Sequence, residues 1–165
     1  MASSGVPRWF LAVYVFVVVL APPMHATWRR YGMASFWALV VAAAVVDTVA
    51  RASGLEEVQW ANYAFVWLAI HQLGFAWRDG AFTEPVRAAS FALMGLSGLV
   101  VLAGLASYPV SMVTVPGEAA ANSSPPTLAL LALGITHTGV ALALEGRSRR
   151  FLERRFVAWT ATVFI

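Results

Sequence analysis

The chain has 165 residues, of which 60% are hydrophobic and 12% charged, against roughly 45–50% and about 25% in soluble domains, so one lipid-solvated domain is expected and disorder is excluded. There is no cysteine and no lysine, which removes disulfides, thiol nucleophiles, thiolate metal sites and lysine Schiff bases. The net charge of +3 rests on eleven arginines placed between apolar runs, where membrane anchors belong, and this argues against a nucleic-acid partner.

A membrane-crossing helix needs about 20 mostly apolar residues, and six segments meet or approach that need. The first runs from Trp9 to about Ala26 and is interrupted by Pro22 and Pro23. A cleaved signal peptide ending at Met24-His25-Ala26 is the alternative for it, and the arginine distribution disfavours it. The second, Met33 to Ala50, carries Asp47 in its last turn, four residues before Arg51, a spacing that predicts an ion pair within the helix. The third, Val58 to Trp77, has no formal charge and stops at Arg78-Asp79-Gly80.

The fourth segment, Ala88 to Ala106, leads into a Pro-, Gly-, Ser- and Asn-rich stretch, Ser107 to Thr127, read as a structured plug or lid. Asn122-Ser123-Ser124 within it matches the N-glycosylation acceptor pattern, a weak three-residue signal. The fifth segment, about Pro125 to Leu144, is expected to end at Glu145-Gly146. The sixth begins at Phe156; its ten residues to Ile165 give ~15 Å of helix, half a span, so the chain reads as truncated. The predicted fold class is therefore an all-α polytopic transmembrane bundle in a single domain, residues 1–165, with five full spans and a truncated sixth.

Arginine-rich short connections stay in the cytoplasm. Nine arginines (Arg29, Arg30, Arg78, Arg87, Arg147, Arg149, Arg150, Arg154 and Arg155) fall on one side, and Arg8 and Arg51 on the other. The expected location is the cell membrane, multi-pass, with the N-terminus outside and the arginine-rich loops cytoplasmic.

Polar groups at bilayer depth are costly and mark functional positions. The third segment offers Asn62, His71 and Gln72, with His71 near the midplane. Its imidazole suits a proton relay, a general base or a donor to a substrate carbonyl, or a packing hydrogen bond between helices. His137, between Thr136 and Thr138 in the fifth segment, is expected at similar depth. Two imidazoles with no carboxylate at that level do not make a metal site, and no metal is predicted. His71, Gln72 and His137 are thus the candidate substrate-path residues. Arg147, Arg150 and Arg154 share one helical face. With Arg78 they are the candidates for capturing a phosphorylated cytosolic donor such as the nucleotide end of coenzyme A, anchoring to anionic headgroups being the plainer role.

Three stretches carry a family resemblance: Val66 to Phe75 leading into Trp77-Arg78-Asp79-Gly80; Tyr108 to Val113 with Pro116-Gly117; and Asn122 to Leu128. With the arginine-rich turn before Val157-Ala158-Trp159-Thr160, they make the chain resemble the later half of the acyltransferase family 3 membrane enzymes. The resemblance implies transfer of an acyl group from a cytosolic thioester, acyl-CoA, to a hydroxyl on a glycan or other surface or secondary metabolite, with no cofactor beyond the donor. It also implies a lipid bilayer as partner. The family's catalytic motif, a basic residue ahead of a histidine on the first helix, is not matched, so no catalytic residue is carried over and the chain alone is expected to be inactive. A non-catalytic membrane subunit or transporter-like scaffold is the competing expectation.

Overall fold

The computed structural model describes residues 8–113 and 121–163, with side chains placed at 11–113 and 121–145. All regular secondary structure among the described residues is helical: α1 (Arg8–Tyr31), α2 (Met33–Ser53), a 3-10 turn (Glu56–Ala61), α3 (Asn62–Arg78), α4 (Pro85–Gly104) and α5 (Leu128–Val163).

The apolar runs become helices because only a helix satisfies every backbone polar group without help from water. Pro22 and Pro23 do not interrupt α1 as expected; the helix passes through both and ends at Tyr31. Each proline removes one donor and so frees the carbonyl four residues before it, while the Thr27 hydroxyl adds a hydrogen bond to the Pro23 carbonyl at 2.9 Å. One residue, Gly32, turns the chain into α2 at φ 53°, a left-handed value that glycine adopts at little cost. Gly54, at φ 70°, closes α2 by donating to the Ala50 carbonyl at 3.0 Å.

Among the described residues, four helical stretches are long and apolar enough to cross a membrane: Leu11–Tyr31, Met33–Ser53, Pro85–Gly104 and Leu128–Glu145. Outward-facing apolar side chains such as Leu11, Val19, Leu93 and Val100 suit lipid rather than water. The expected third span divides into the 3-10 turn, with Glu56 and Glu57 in it, and α3. At 17 residues α3 rises ~25 Å, a little short of the hydrocarbon thickness of about 30 Å.

The expected break at Glu145-Gly146 is absent, and the fifth and sixth segments form one helix of 36 residues. A mid-helix glycine costs only about 1 kcal/mol relative to alanine, and the Leu, Ala, Glu and Arg residues around Gly146 favour the helix. The expected five full spans and a half-span are thus not reproduced among the described residues, which hold four helices of span length and the shorter α3.

The most extensive interface joins α4 to α5, and α3 packs on both α1 and α2. The α4–α5 approach is close because a Cβ on Gly95 would lie 2.6 Å from the Thr136 backbone nitrogen, and one on Gly139 would lie 2.8 Å from the Ala88 carbonyl oxygen. The apolar core gathers Phe36, Phe82 and Phe91, with ring centroids 5.0–5.8 Å apart, around Val66, Leu73 and Leu131.

Candidate functional site

The polar residues gather in three places: beside the N-terminus of α5, at the junction of α1 with the end of α3, and along α3 itself.

Asp47 is fully buried on α2. It does not pair with Arg51. Its Oδ2 accepts the Tyr108 hydroxyl at 2.8 Å and the Leu128 backbone N–H at 2.9 Å, and its Oδ1 accepts Gln59 Nε2 at 3.0 Å. The carboxylate thus faces the first turn of α5, where the helix dipole and unpaired N–H groups favour an anion. Arg51 turns outward instead, donating to the Ala106 carbonyl at 2.7 Å and lying 4.1 Å from the centroid of the Tyr108 ring. Burial first, and the hydrogen bond to Asp47 second, push the Tyr108 phenol above its ordinary value.

The described parts of the loop beside this cluster are tied together by side-chain hydrogen bonds. Asn122 is fully buried; its Nδ2 donates to Pro109 O at 2.5 Å and Ser111 O at 3.0 Å, and its Oδ1 accepts the Thr127 hydroxyl at 2.7 Å. Thr127 Oγ1 accepts the Ala129 N–H at 3.2 Å, capping α5. With its amide enclosed and hydrogen-bonded, Asn122 in the folded chain presents no accessible glycosylation acceptor. Pro116-Gly117 lies outside the described residues.

At the α1–α3 junction, Trp28 Nε1 donates to Asp79 Oδ2 at 2.7 Å and Arg78 Nε donates to Asp79 Oδ1 at 3.0 Å. Arg78 also places a guanidinium nitrogen 2.7 Å from His25 Nε2. A guanidinium only donates, so the imidazole accepts there and carries its ring proton on Nδ1. The Trp28 hydrogen bond first, then Arg78, hold the Asp79 carboxyl below its ordinary value.

Along α3, His71 is half-buried, its ring edge-on to Phe75 at 4.8 Å, and its buried Nδ1 has no hydrogen-bond partner. Gln72 is fully buried; its Nε2 donates to the Met24 carbonyl at 3.3 Å, and its Oε1 is unpartnered. Trp67 Nε1, one turn before His71, is likewise buried and unpaired.

His137 is exposed, with Nδ1 2.9 Å from the Leu133 carbonyl one turn back. The groove between α3 and α5 is lined by Ile70, Leu73 and Gly74 facing Thr138, Ala141 and Leu142, so neither histidine is part of that meeting surface. Among the described residues no three histidine or carboxylate side chains converge as a metal site would require. Arg78 is exposed at the α3 end. Arg147, Arg150 and Arg154 lie on the continuous second half of α5, where side chains are outside those described.

His25, Trp28, Tyr108 and the full extent of the Asp47 contacts escaped the sequence reading. His25 and Trp28 left a trace, standing three residues apart on one face of α1, and Tyr108 opens one of the resembling stretches. No family model, no curated protein and no solved structure matches the chain.

Proposed function

We propose that the chain is the bundle core of a membrane-embedded acyltransferase, which passes an acyl group from acyl-CoA to a hydroxyl of a glycan or another surface or secondary metabolite. The proposed setting is the cell membrane, with the N-terminus outside and the arginine-bearing connections in the cytoplasm.

The observation that carries the proposal is where the resembling stretches fall. Val66 to Phe75 supplies the buried, unpartnered Trp67 Nε1, His71 Nδ1 and Gln72 Oε1. Tyr108 to Val113 and Asn122 to Leu128 supply the partners that close around Asp47 and Asn122. Unsatisfied polar atoms inside an apolar bundle cost stability, and such a cost is expected where substrate completes the hydrogen bonding.

In the proposed reaction the acceptor oxygen attacks the thioester carbonyl, the tetrahedral intermediate collapses, and the thiol leaves with the proton lost by the hydroxyl. A base must take that proton and donors must hold the developing oxyanion. No residue of this chain is assigned as the base. His71 and Gln72 are assigned to the acceptor path ahead of His137, which is exposed and turned to its own backbone. Arg78, Arg147, Arg150 and Arg154 are assigned to the donor's phosphates.

A photoreactive acyl-CoA tests this directly on the protein in native membranes. Saturable labelling that free coenzyme A displaces, and that Arg78→Ala combined with Arg150→Ala weakens, is the expected result. Labelling that coenzyme A fails to compete would overturn the proposal in favour of a non-catalytic membrane subunit.

A further inference from the structure

At the α1–α3 junction three side chains hold one guanidinium. Arg78 Nε donates to Asp79 Oδ1 at 3.0 Å, an Arg78 Nη2 proton goes to His25 Nε2 at 2.7 Å, and the guanidinium carbon lies 5.6 Å from the centroid of the Phe75 ring. Asp79 is itself fixed from α1 by Trp28 Nε1 at 2.7 Å. Of the two hydrogen-bond acceptors on Arg78, Asp79 is its chain neighbour and His25 reaches it from another helix.

The His25 contact suits one protonation state alone. A neutral imidazole accepts at Nε2, whereas an imidazolium carries a proton on both nitrogens and offers a guanidinium no acceptor. Protonation also sets two cations side by side, and they repel. The charged and titratable groups around His25 are Arg78 and Asp79 at the end of α3, Arg29 and Arg30 in the last turn of α1, and His71, which packs at 4.8 Å on the same Phe75 ring that His25 meets at 5.1 Å. The other helix packed on α1 is α2, which carries no charged or titratable side chain before Asp47, near its far end. Asp79 is the one anion in this set. Its carboxyl is held below the ordinary value, first by Trp28 and then by Arg78, so it stays charged across the range in which histidines change charge.

We propose that His25 is a pH-sensitive latch on Arg78. Neutral, it holds the guanidinium against α1; protonated, it releases Arg78 from the junction. The Arg78 side chain is already 55% exposed, so release takes only a rotation of that side chain. Trp28 keeps its hold on Asp79, and α1 and α3 stay joined while the arginine is freed. The latch regulates the phosphate-binding role proposed for Arg78 and rests on that reading only there. Coenzyme A labelling tests that role, and the motion of Arg78 itself reports the latch.

The test is nitrogen NMR relaxation of the arginine side chains in the detergent-solubilised full chain, with the Arg78 Nε signal assigned by its loss in Arg78→Lys. As pH drops from about 8 to about 5, the Arg78 Nε order parameter should fall from about 0.85 to below about 0.6, the rigid and flexible limits. His25→Gln, whose carboxamide oxygen accepts without titrating, should keep Arg78 rigid at both ends of that range. His25→Ala should leave it mobile at both. An unchanged Arg78 order parameter in the native chain overturns the proposal, whatever the variants do. So does a fall that persists in His25→Gln, which would move the titrating group to His71 on the far side of Phe75.

Discussion

Asp47→Ala removes the acceptor shared by Tyr108, Gln59 and the first backbone N–H of α5. The Tyr108 hydroxyl and Leu128 N–H would each lose a buried partner, at about 1–3 kcal/mol apiece. The anion at the α5 N-terminus is lost as well, about 0.3–2 kcal/mol. Because these losses overlap at one carboxylate, the expected total is about 3–5 kcal/mol. Asp47→Asn keeps one acceptor oxygen and is expected to cost about 1.5–3 kcal/mol. Arg51→Ala loses one exposed carbonyl contact and the stacking on Tyr108, about 1 kcal/mol. The assay is reversible unfolding in mixed micelles, followed by far-ultraviolet circular dichroism. If Asp47→Ala falls within about 1 kcal/mol of the native chain, or if Arg51→Ala matches it, the carboxylate does not join α2 to α5 as described.

The Tyr108 phenol is raised from its ordinary 10.0, so the folded chain holds that proton where the unfolded chain releases it, and stability falls as pH climbs past about 10. Unfolding scans between pH 9 and about 12 should show this decline in the native chain and lose its Tyr108 component in Tyr108→Phe. The Asp79 carboxyl is lowered from 3.8, so its contribution is present above that value and is lost as pH falls through the folded-state value. Carboxyl carbon NMR should find the midpoint moving up toward the ordinary value in Trp28→Phe. Gly139→Ala puts a methyl 2.7 Å from Ala92 Cα and 2.8 Å from the Ala88 carbonyl, both backbone atoms, and should cost about 1–3 kcal/mol. Gly74→Ala meets nothing within 4 Å and should gain about 0.4–1 kcal/mol in the same unfolding assay.

The helices were legible because a run of apolar residues near span length has few other ways to satisfy its backbone. Their ends were less so. Pro22, Pro23 and Gly146 read as stops, yet each penalty is local and small beside the cooperative helix around it. Asp47 shows the second limit: spacing along one helix proposes Arg51, whereas the partners chosen lie 61 and 81 residues away. The same distance hid His25, whose contact with Arg78 joins positions 53 apart. Gln72 stood out by polarity alone, but only the bundle shows which of its two amide atoms is spent. Asn122 read as a modification pattern and turned out to be the pin of the loop, because its surroundings are formed by residues before and after it in the chain.

The carboxylate of Asp47 also imposes an order on biosynthesis. Its α5 partner is made 81 residues later, and at roughly 5–20 residues per second a ribosome needs about 4–16 s to reach it. For most of that interval only Gln59, twelve residues on, has been made to meet it, and Tyr108 follows 61 residues on. The second helix therefore waits, half-provisioned, for the last one to arrive, and a nascent chain stalled between Gly104 and Leu128 is the stage most exposed to quality-control proteases.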